Sequence, residues 1–199
     1  MAPALTRQVG CIVLAAGGAQ RFGGEKLLAT FAGRPLLQHV IDAACGADVL
    51  ACTLVLGASG GRIAQRVDAR RCAVVSNKRW REGMSASIKC GLRSHSGDDA
   101  CIIMLGDQPN VSASDLDALI DCYASDPRRI VALRAGAVWG APALFPRRDF
   151  AGLRGLKGDR GAKRYAQTQR ERLAFVEARS GDAFADVDTK EDLIRLSGS

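Results

Sequence analysis

A glycine-rich segment with two cations follows the first apolar run of the chain. Residues 14–26 read LAAGGAQRFGGEK and place Gly17, Gly18, Arg21 and Lys26 close together. Glycine lets backbone N–H groups converge on an anion because no Cβ stands in the way, and Arg and Lys neutralise the anion's charge. The segment therefore predicts a phosphate-binding loop. It matches neither the P-loop nor the GxGxxG pattern, and a flexible strand-to-helix loop is the alternative.

Two acidic residues could hold a divalent cation. Asp107 directly follows an apolar run, which would place its carboxylate at the carboxyl edge of a sheet. A turn is the alternative there, because an Asp followed two residues later by Pro109 also favours one. Asp188 precedes a helical pattern near the C-terminus, where the alternative is a Thr-x-x-Asp helix cap that begins at Thr189. The spacing alone does not choose between a metal site and these local roles.

Apolar runs that alternate with helical patterns must position these residues. Runs typical of strands buried on both faces occupy residues 9–16, 51–57, 71–76, 100–106 and 129–134. Helical apolar spacing occupies residues 35–45, 60–67, 84–93 and 112–124. The alternation predicts a single-domain α/β protein with a Rossmann-like, doubly wound, mostly parallel sheet and helices on both faces. Ligands of such sheets bind at the carboxyl ends of the strands, where the glycine-rich segment and Asp107 fall.

Composition narrows the classes of partner. The 199-residue chain has 28 Lys and Arg against 21 Asp and Glu, a formal net charge of +7, which suits phosphate-bearing ligands. The basic residues are scattered and the aromatic content of 5% is thin for stacking bases, so small phosphates are favoured over nucleic acid. No apolar run approaches the ~20 residues of a membrane span, and the N-terminus lacks the apolar region of a signal peptide. We therefore expect a cytoplasmic protein with no membrane partner.

The cysteines and histidines predict no further chemistry. Seven cysteines are an odd number, contain no CxxC pair and stand mostly among apolar residues, so we interpret them as reduced core residues rather than metal ligands or disulfides. We expect neither of the two histidines, His39 and His95, to lie near a second plausible metal ligand. Neither a zinc site nor a Ser-His-Asp triad is expected.

Six segments, in this order, resemble the family of molybdenum cofactor nucleotidyltransferases. They are LAAGGAQRFGGEK, NKRWREGMSASIKCGL, GDQP, GAPALF, GDRGAK and DVDTKEDL, and they extend the likeness over roughly residues 9–196. The cytidylyltransferase branch is the more similar, because LAAG stands at residues 14–17 and GDQP at 106–109, whereas the guanylyltransferase branch usually has LAGG. The resemblance implies Mg²⁺-dependent transfer of CMP from CTP to the terminal phosphate of molybdopterin, with release of pyrophosphate.

The resemblance also implies roles for individual residues. The implied nucleotide-binding residues are Leu14, Ala15, Ala16, Gly17, Gly18, Arg21, Lys26, Asn77, Gly83 and Ser87. Arg21 and Lys26 would grip the triphosphate and form the catalytic group together with Asp107. Asp107 and Asp188 would share the Mg²⁺. Lys163, at the start of a helical pattern, would face the phosphate of the acceptor.

Two departures from the family pattern bear mainly on the acceptor. Ala19 stands where the pattern has Ser, which removes one possible hydroxyl contact to phosphate, and Phe22 replaces Met. Ala141 stands where many relatives have His, so the acceptor contact made by that imidazole would be missing. These departures question the identity of the acceptor more than the transfer of a nucleotide.

The family pattern divides the expected domain, residues 1–199, into parts. We expect residues 1–8 to be flexible, 9–110 to form the nucleotide-binding part and 111–196 the acceptor-binding part. The alternative functions are a GTP-dependent guanylyltransferase, another NTP:phosphate nucleotidyltransferase, or a non-catalytic nucleotide-binding chaperone that delivers the cofactor. A molybdoenzyme or its chaperone is the protein partner that the resemblance implies.

Overall fold

The computed structural model describes residues 8–17, 26–57, 59–184 and Asp192. The described strands are β1 (Val9–Ala15), β2 (Thr30–Phe31), β3 (Arg34–Pro35), β4 (Ala51–Leu56), β5 (Cys72–Ser76), β6 (Ala100–Leu105), β7 (Ile130–Ala135), β8 (Val138–Pro146) and β9 (Leu173–Glu177). The described helices are α1 (Leu36–Gly46), α2 (Gly60–Arg66), α3 (Met84–Leu92), α4 (Ala113–Ser125), α5 (Phe150–Arg154) and α6 (Ala162–Thr168). The sequence predictions for Gly18, Arg21 and Asp188 fall outside the described residues and stay predictions.

Seven of the described strands form one sheet in the order β5-β4-β1-β6-β8-β7-β9. β8 is antiparallel to its neighbours β6 and β7, and the other pairs are parallel. The predicted doubly wound, mostly parallel sheet is confirmed. The chain order reverses at β1, which has β4 on one side and β6 on the other. Open α/β sheets bind ligands at the carboxyl ends of the strands beside such a reversal.

The helices cover both faces of the sheet, as the two apolar clusters show. β1 is buried along its whole length, and its residues alternate between the clusters. Val13 packs with residues of α1 and α4 on one face, whereas Ile12 packs with residues of α3 and α5 on the other. This alternation explains why the run reads as continuously apolar in the sequence. None of the helices in the described ranges is both long and apolar enough to cross a membrane.

One predicted strand is less buried than its sequence indicates. The run at residues 71–76 was expected to be buried on both faces, but β5 is one of the two edge strands of the described sheet and Val74 is 48% exposed. That expectation was wrong because an apolar run does not reveal which strand lies at the edge of a sheet.

The described part of the last third of the chain packs back on the sheet, as expected, and an ion pair to the buried Asp149 helps to hold it. Asp149 follows β8 and is 1% exposed. It accepts hydrogen bonds from the Tyr165 hydroxyl at 2.7 Å and from Arg172 Nη2 at 2.5 Å, which ties α6 to the start of β9. Burial and the hydrogen bond to Asp149 raise the pKa of Tyr165 to about 12, so this tyrosine is neutral at physiological pH.

His95 belongs to a buried polar network. Its Nδ1 lies 2.7 Å from Asp98 Oδ2, and its Nε2 lies 2.9 Å from Thr53 Oγ1. All three side chains are buried, and a Cβ placed on Gly10 would lie 2.1 Å from the ring. The order Thr-His-Asp resembles a hydrolase triad, but the Thr53 hydroxyl lies inside the sheet packing. A substrate has no access to it, so the network is a structural link between β4 and the segment after α3.

Candidate active site

Two glycines hold the carboxyl end of β1 between its neighbours. A Cβ on Gly57, after β4, would lie 2.3 Å from the carbonyl oxygen of Ala16. On the other side, the N–H of Gly106, after β6, donates to the carbonyl of Leu14 at 2.9 Å. Glycine permits this close approach because it has no Cβ. The exit of β1 is thereby fixed in the crevice where the strand order reverses.

At the carboxyl end of β1, the first three residues have buried side chains and the fourth is exposed. The side chains of Leu14, Ala15 and Ala16 are buried in the core, so only backbone from these positions can serve a ligand. Gly17 is exposed, and a Cβ placed on it would meet no atom of the described chain within 4 Å. Packing against the described residues therefore does not explain the glycine. The open space next to its backbone is what a ligand's close approach requires.

A salt bridge stands beside the β1 exit. Lys26 Nζ lies 2.8 Å from Asp107 Oδ2, although the two residues are 81 positions apart in the chain. The Lys26 side chain is 9% exposed and the Asp107 side chain 29% exposed. The β6 exit presents the carboxylate, as the sequence predicted, and the short turn at 26–28 presents the cation. The site thus combines a group that can neutralise phosphate charge with oxygen atoms that can hold a divalent cation.

Asn77 and Ser87 lie on the β5 side of the candidate active site. The N–H of Asn77 donates to the carbonyl of Leu56 at 2.8 Å, which fixes the β5 exit beside β4. Its side-chain amide donates to Ser87 Oγ at 3.0 Å and accepts from the Arg79 N–H at 3.0 Å. Asn77 and Ser87 are each 5% exposed. The structure therefore brings together two residues for which the resemblance implied a nucleotide-binding role.

Gly83 caps α3 in a conformation that few other residues adopt. Its φ is +94°, and a Cβ there would lie 2.4 Å from the carbonyl carbon of Gly158. The Gly158 carbonyl in turn accepts the N–H of Ser85 at 3.1 Å. Gly83 is thus required both by its backbone angle and by the loop packed against the start of α3.

Replacing Gly83 with alanine is expected to lower the free energy of unfolding by about 2–4 kcal/mol, because it adds a clash to the strain of a positive φ. Gly136→Ala is the matched control, since Gly136 also has a positive φ, +59°, but open space around its Cβ position. We expect about 1–2 kcal/mol for the control. Urea unfolding of both variants measures the difference. Equal losses would mean that the Gly158 loop yields without cost.

A basic cleft of about 520 Å³, lined in part by Asn77, was not predicted from the sequence. Its cations come from the loop after β5, from α3 and its C-cap, and from the loop after α5; they are Lys78, Arg79, Lys89, Arg93 and Lys157. Arg79 is paired with Glu82 at 2.5 Å. The basic run Lys78-Arg79-Trp80-Arg81 can be seen in the sequence. Lys157 is distant from it in the chain and reaches the cleft only because the chain folds back.

Lys163 lies in the first turn of α6, so the expected helix start is present. Its Nζ stands 4.9 Å from the centre of the Trp139 ring, a cation–π contact. The preceding Gly161 packs against Met84, so the start of α6 adjoins the start of α3. Ala141, where many relatives have His, is half-buried in β8. The role of Lys163 toward an acceptor stays a prediction.

Comparison with known proteins identifies relatives over nearly the whole chain. The purine catabolism protein PucB of Bacillus subtilis is 28% identical over 94% of this chain and 96% of its own. The nicotine blue oxidoreductase of Paenarthrobacter nicotinovorans is 26% identical over 93% of this chain and 94% of its own. The crystal structure of Rv0371c from Mycobacterium tuberculosis is 27% identical, covers 97% of this chain and 99% of its own, and has a TM-score of 0.84. A second structure of Rv0371c is a complex with manganese.

The model of a single domain family accounts for most of the chain. The MobA-like NTP transferase domain matches residues 11–173, a range that contains the β1 exit, Lys26, Asn77 and Asp107. The resemblance inferred from the sequence motifs is therefore confirmed at the level of the family. The chain belongs to the MobA-like NTP transferase family.

Proposed function

We propose that this protein transfers CMP from CTP to the terminal phosphate of molybdopterin and releases pyrophosphate. The observation that carries the proposal is the Lys26–Asp107 salt bridge, 2.8 Å long, beside the carboxyl end of β1. A nucleotidyltransferase needs both charges at one place, because the triphosphate must be neutralised while a cation is held against it. Membership of an NTP transferase family supports the same class of reaction.

The chemistry requires no nucleophilic side chain. An acceptor phosphate monoester is ionised near neutral pH, so one of its oxygens can attack the α-phosphorus of CTP without a general base. The new bond joins that oxygen to the α-phosphorus, and the bond from the α-phosphorus to the bridging oxygen breaks, so that pyrophosphate leaves with the electron pair. The protein's task is positioning and charge stabilisation. This task suits Lys26 and the exposed backbone of Gly17, together with Arg21 in its predicted phosphate-binding role.

The residues at the site fit a divalent metal ion. Asp107 offers carboxylate oxygens at the carboxyl edge of the sheet, and such hard oxygen donors are those that Mg²⁺ takes in phosphate-binding sites. We propose Asp107 and Asp188 as the metal-binding residues. Asp182, close to the end of the described range 59–184, has a backbone carbonyl that accepts from the Asn110 side-chain amide at 3.3 Å, so this part of the chain lies close to the turn after β6. A bound divalent ion would supply charge stabilisation to the phosphates.

We assign CTP and molybdopterin as substrates from the sequence motifs, because membership of the family does not determine either substrate. LAAG at residues 14–17 and GDQP at 106–109 support CTP over GTP. The names of the relatives include purine catabolism and an oxidoreductase, so membership of the family does not select the acceptor. Asn77 and Ser87 form the wall against which we place the nucleotide. We propose Lys163 as a residue on the acceptor side.

A pyrophosphate-release assay with molybdopterin tests the proposal. The protein is mixed with CTP, GTP, ATP or UTP, with and without Mg²⁺, and reactions without molybdopterin are the control. We expect release with CTP and Mg²⁺ only when the acceptor is present, and a product that contains cytosine. A preference for GTP would make the protein a guanylyltransferase. Binding of CTP without any turnover would instead support the non-catalytic delivery chaperone.

A further inference from the structure

Neighbouring strands place three cysteines in one row across the sheet. Cys11 is in register with Cys52 between β1 and β4, and Cys52 is in register with Cys72 between β4 and β5. Cys45, in the last turn of α1, lies over the same face. All four are free thiols. The sequence did not predict this cluster, because no two of these cysteines have the spacing of a metal-binding pair.

Three of the sulfur atoms are close enough to bind one metal ion. Cys72 Sγ lies 3.4 Å from Cys45 Sγ and 3.2 Å from Cys52 Sγ, and all three sulfurs lie within 4.8 Å of one another. A triangle of these dimensions has a point within about 2.4 Å of every corner, close to the ~2.3 Å of a zinc–thiolate bond. The three thiols therefore need little movement to share an ion.

The surroundings of the three sulfurs are soft and apolar. Cys52 is 4% and Cys45 8% exposed, whereas Cys72 is half-buried on the edge strand and provides an entry path. Behind Cys52, the Cys11 thiol donates to the thioether of Met104 at 3.7 Å. Among the described residues, the only group of three or more His, Cys, Asp or Glu side chains placed to hold a metal ion is this set of cysteines. Sulfur-only sets of this kind select soft metal ions.

We propose that Cys45, Cys52 and Cys72 form a binding site for Cu(I). Cu(I) is a soft ion, and its preferred ligands are thiolates and thioethers. Zinc fits less well, because structural zinc sites take four ligands and an open zinc site keeps a bound water. Here three sulfurs converge, and two of their side chains are almost fully buried.

The copper site is independent of the proposed transferase activity. Cys52 is the second residue of β4, and the candidate active site lies after Leu56, the last residue of that strand. Four residues of strand separate the two by about 13 Å. Binding at the cluster therefore neither requires nor disturbs the groups beside Lys26 and Asp107, and each proposal can fail without the other.

Competitive titration of the reduced full-length protein tests the site. Cu(I) is added under argon in the presence of bathocuproine disulfonate, a chromogenic Cu(I) chelator, and Zn²⁺ is titrated separately. We expect one Cu(I) per chain in preference to zinc. Cys45→Ser and Cys72→Ser should each weaken binding by at least ~100-fold, because even partners outside the ligand shell contribute 10–100-fold to metal affinity. Cys90→Ser and Cys122→Ser, outside the cluster, should bind as the parent protein does.

A second measurement needs no variant and so does not depend on their folding. Iodoacetamide labelling of the parent protein, with and without Cu(I), is mapped by peptide mass. We expect Cu(I) to protect Cys45 and Cys72 but not Cys90. Unchanged labelling at the cluster, equal Cu(I) affinity in the Cys72→Ser variant, or preferential binding of zinc would each overturn the assignment.

Discussion

Replacing Asp107 with asparagine is expected to slow pyrophosphate release by about 10³-fold or more while the fold stays intact. Asparagine has nearly the same shape, its amide oxygen can still accept from Lys26, and it is as favourable in a turn as aspartate. The substitution removes the negative charge and one metal-binding oxygen. It therefore separates the proposed metal-binding role of Asp107 from the turn role that the sequence left open. Steady-state release of pyrophosphate from CTP and molybdopterin measures the effect.

The matched control for this variant is Asp68→Asn. Asp68 is also a carboxylate in a salt bridge, with Arg70 at 2.6 Å, but it is solvent-exposed and stands between α2 and β5, away from the carboxyl edge of the sheet. We expect the control to keep full activity. If Asp107→Asn also kept it, Asp107 would be a turn residue and the proposed metal site would be wrong.

The position of Asp107 could be predicted from the sequence because it depends on local rules. An apolar run without polar interruptions indicates a strand buried on both faces, and the residue after it must emerge at the carboxyl edge. The same reasoning located the β1 exit. The run at residues 71–76 shows the limit of this rule, since the strand is at the edge of the sheet and all of its residues are half-buried or exposed.

The contacts that complete the site could not be predicted, because they depend on the order of the strands. Lys26 reaches Asp107 across 81 positions of the chain, and Gly158 meets Gly83 only when the loop after α5 packs on α3. The cysteine cluster has the same origin. Cys52 and Cys72 become neighbours because β4 and β5 are adjacent and in a particular register, which hydrophobic patterning does not determine.

The Lys26–Asp107 pair also predicts that the two residues act together. Lys26→Met is expected to lower kcat/KM for CTP by about 10²-fold, because a buried cation that neutralises phosphate charge is lost. Methionine is close to lysine in length and suits the 9% exposed site, and Asp107, which is 29% exposed, can be solvated by water. The expected loss is therefore in activity rather than in folding. Arg70→Met, which removes a cation from an exposed salt bridge, is the control and should keep full activity.

The double variant Lys26→Met with Asp107→Asn shows whether the two groups form one unit. If both stabilise the same charge during transfer, the second substitution adds little to the first, since residues that act as a unit have strongly non-additive effects. We therefore expect the double variant to be about as slow as Asp107→Asn alone. Independent roles would instead multiply the two losses, to about 10⁵-fold in kcat/KM. That result would place Lys26 on a different part of the substrate from the proposed metal-bound phosphates.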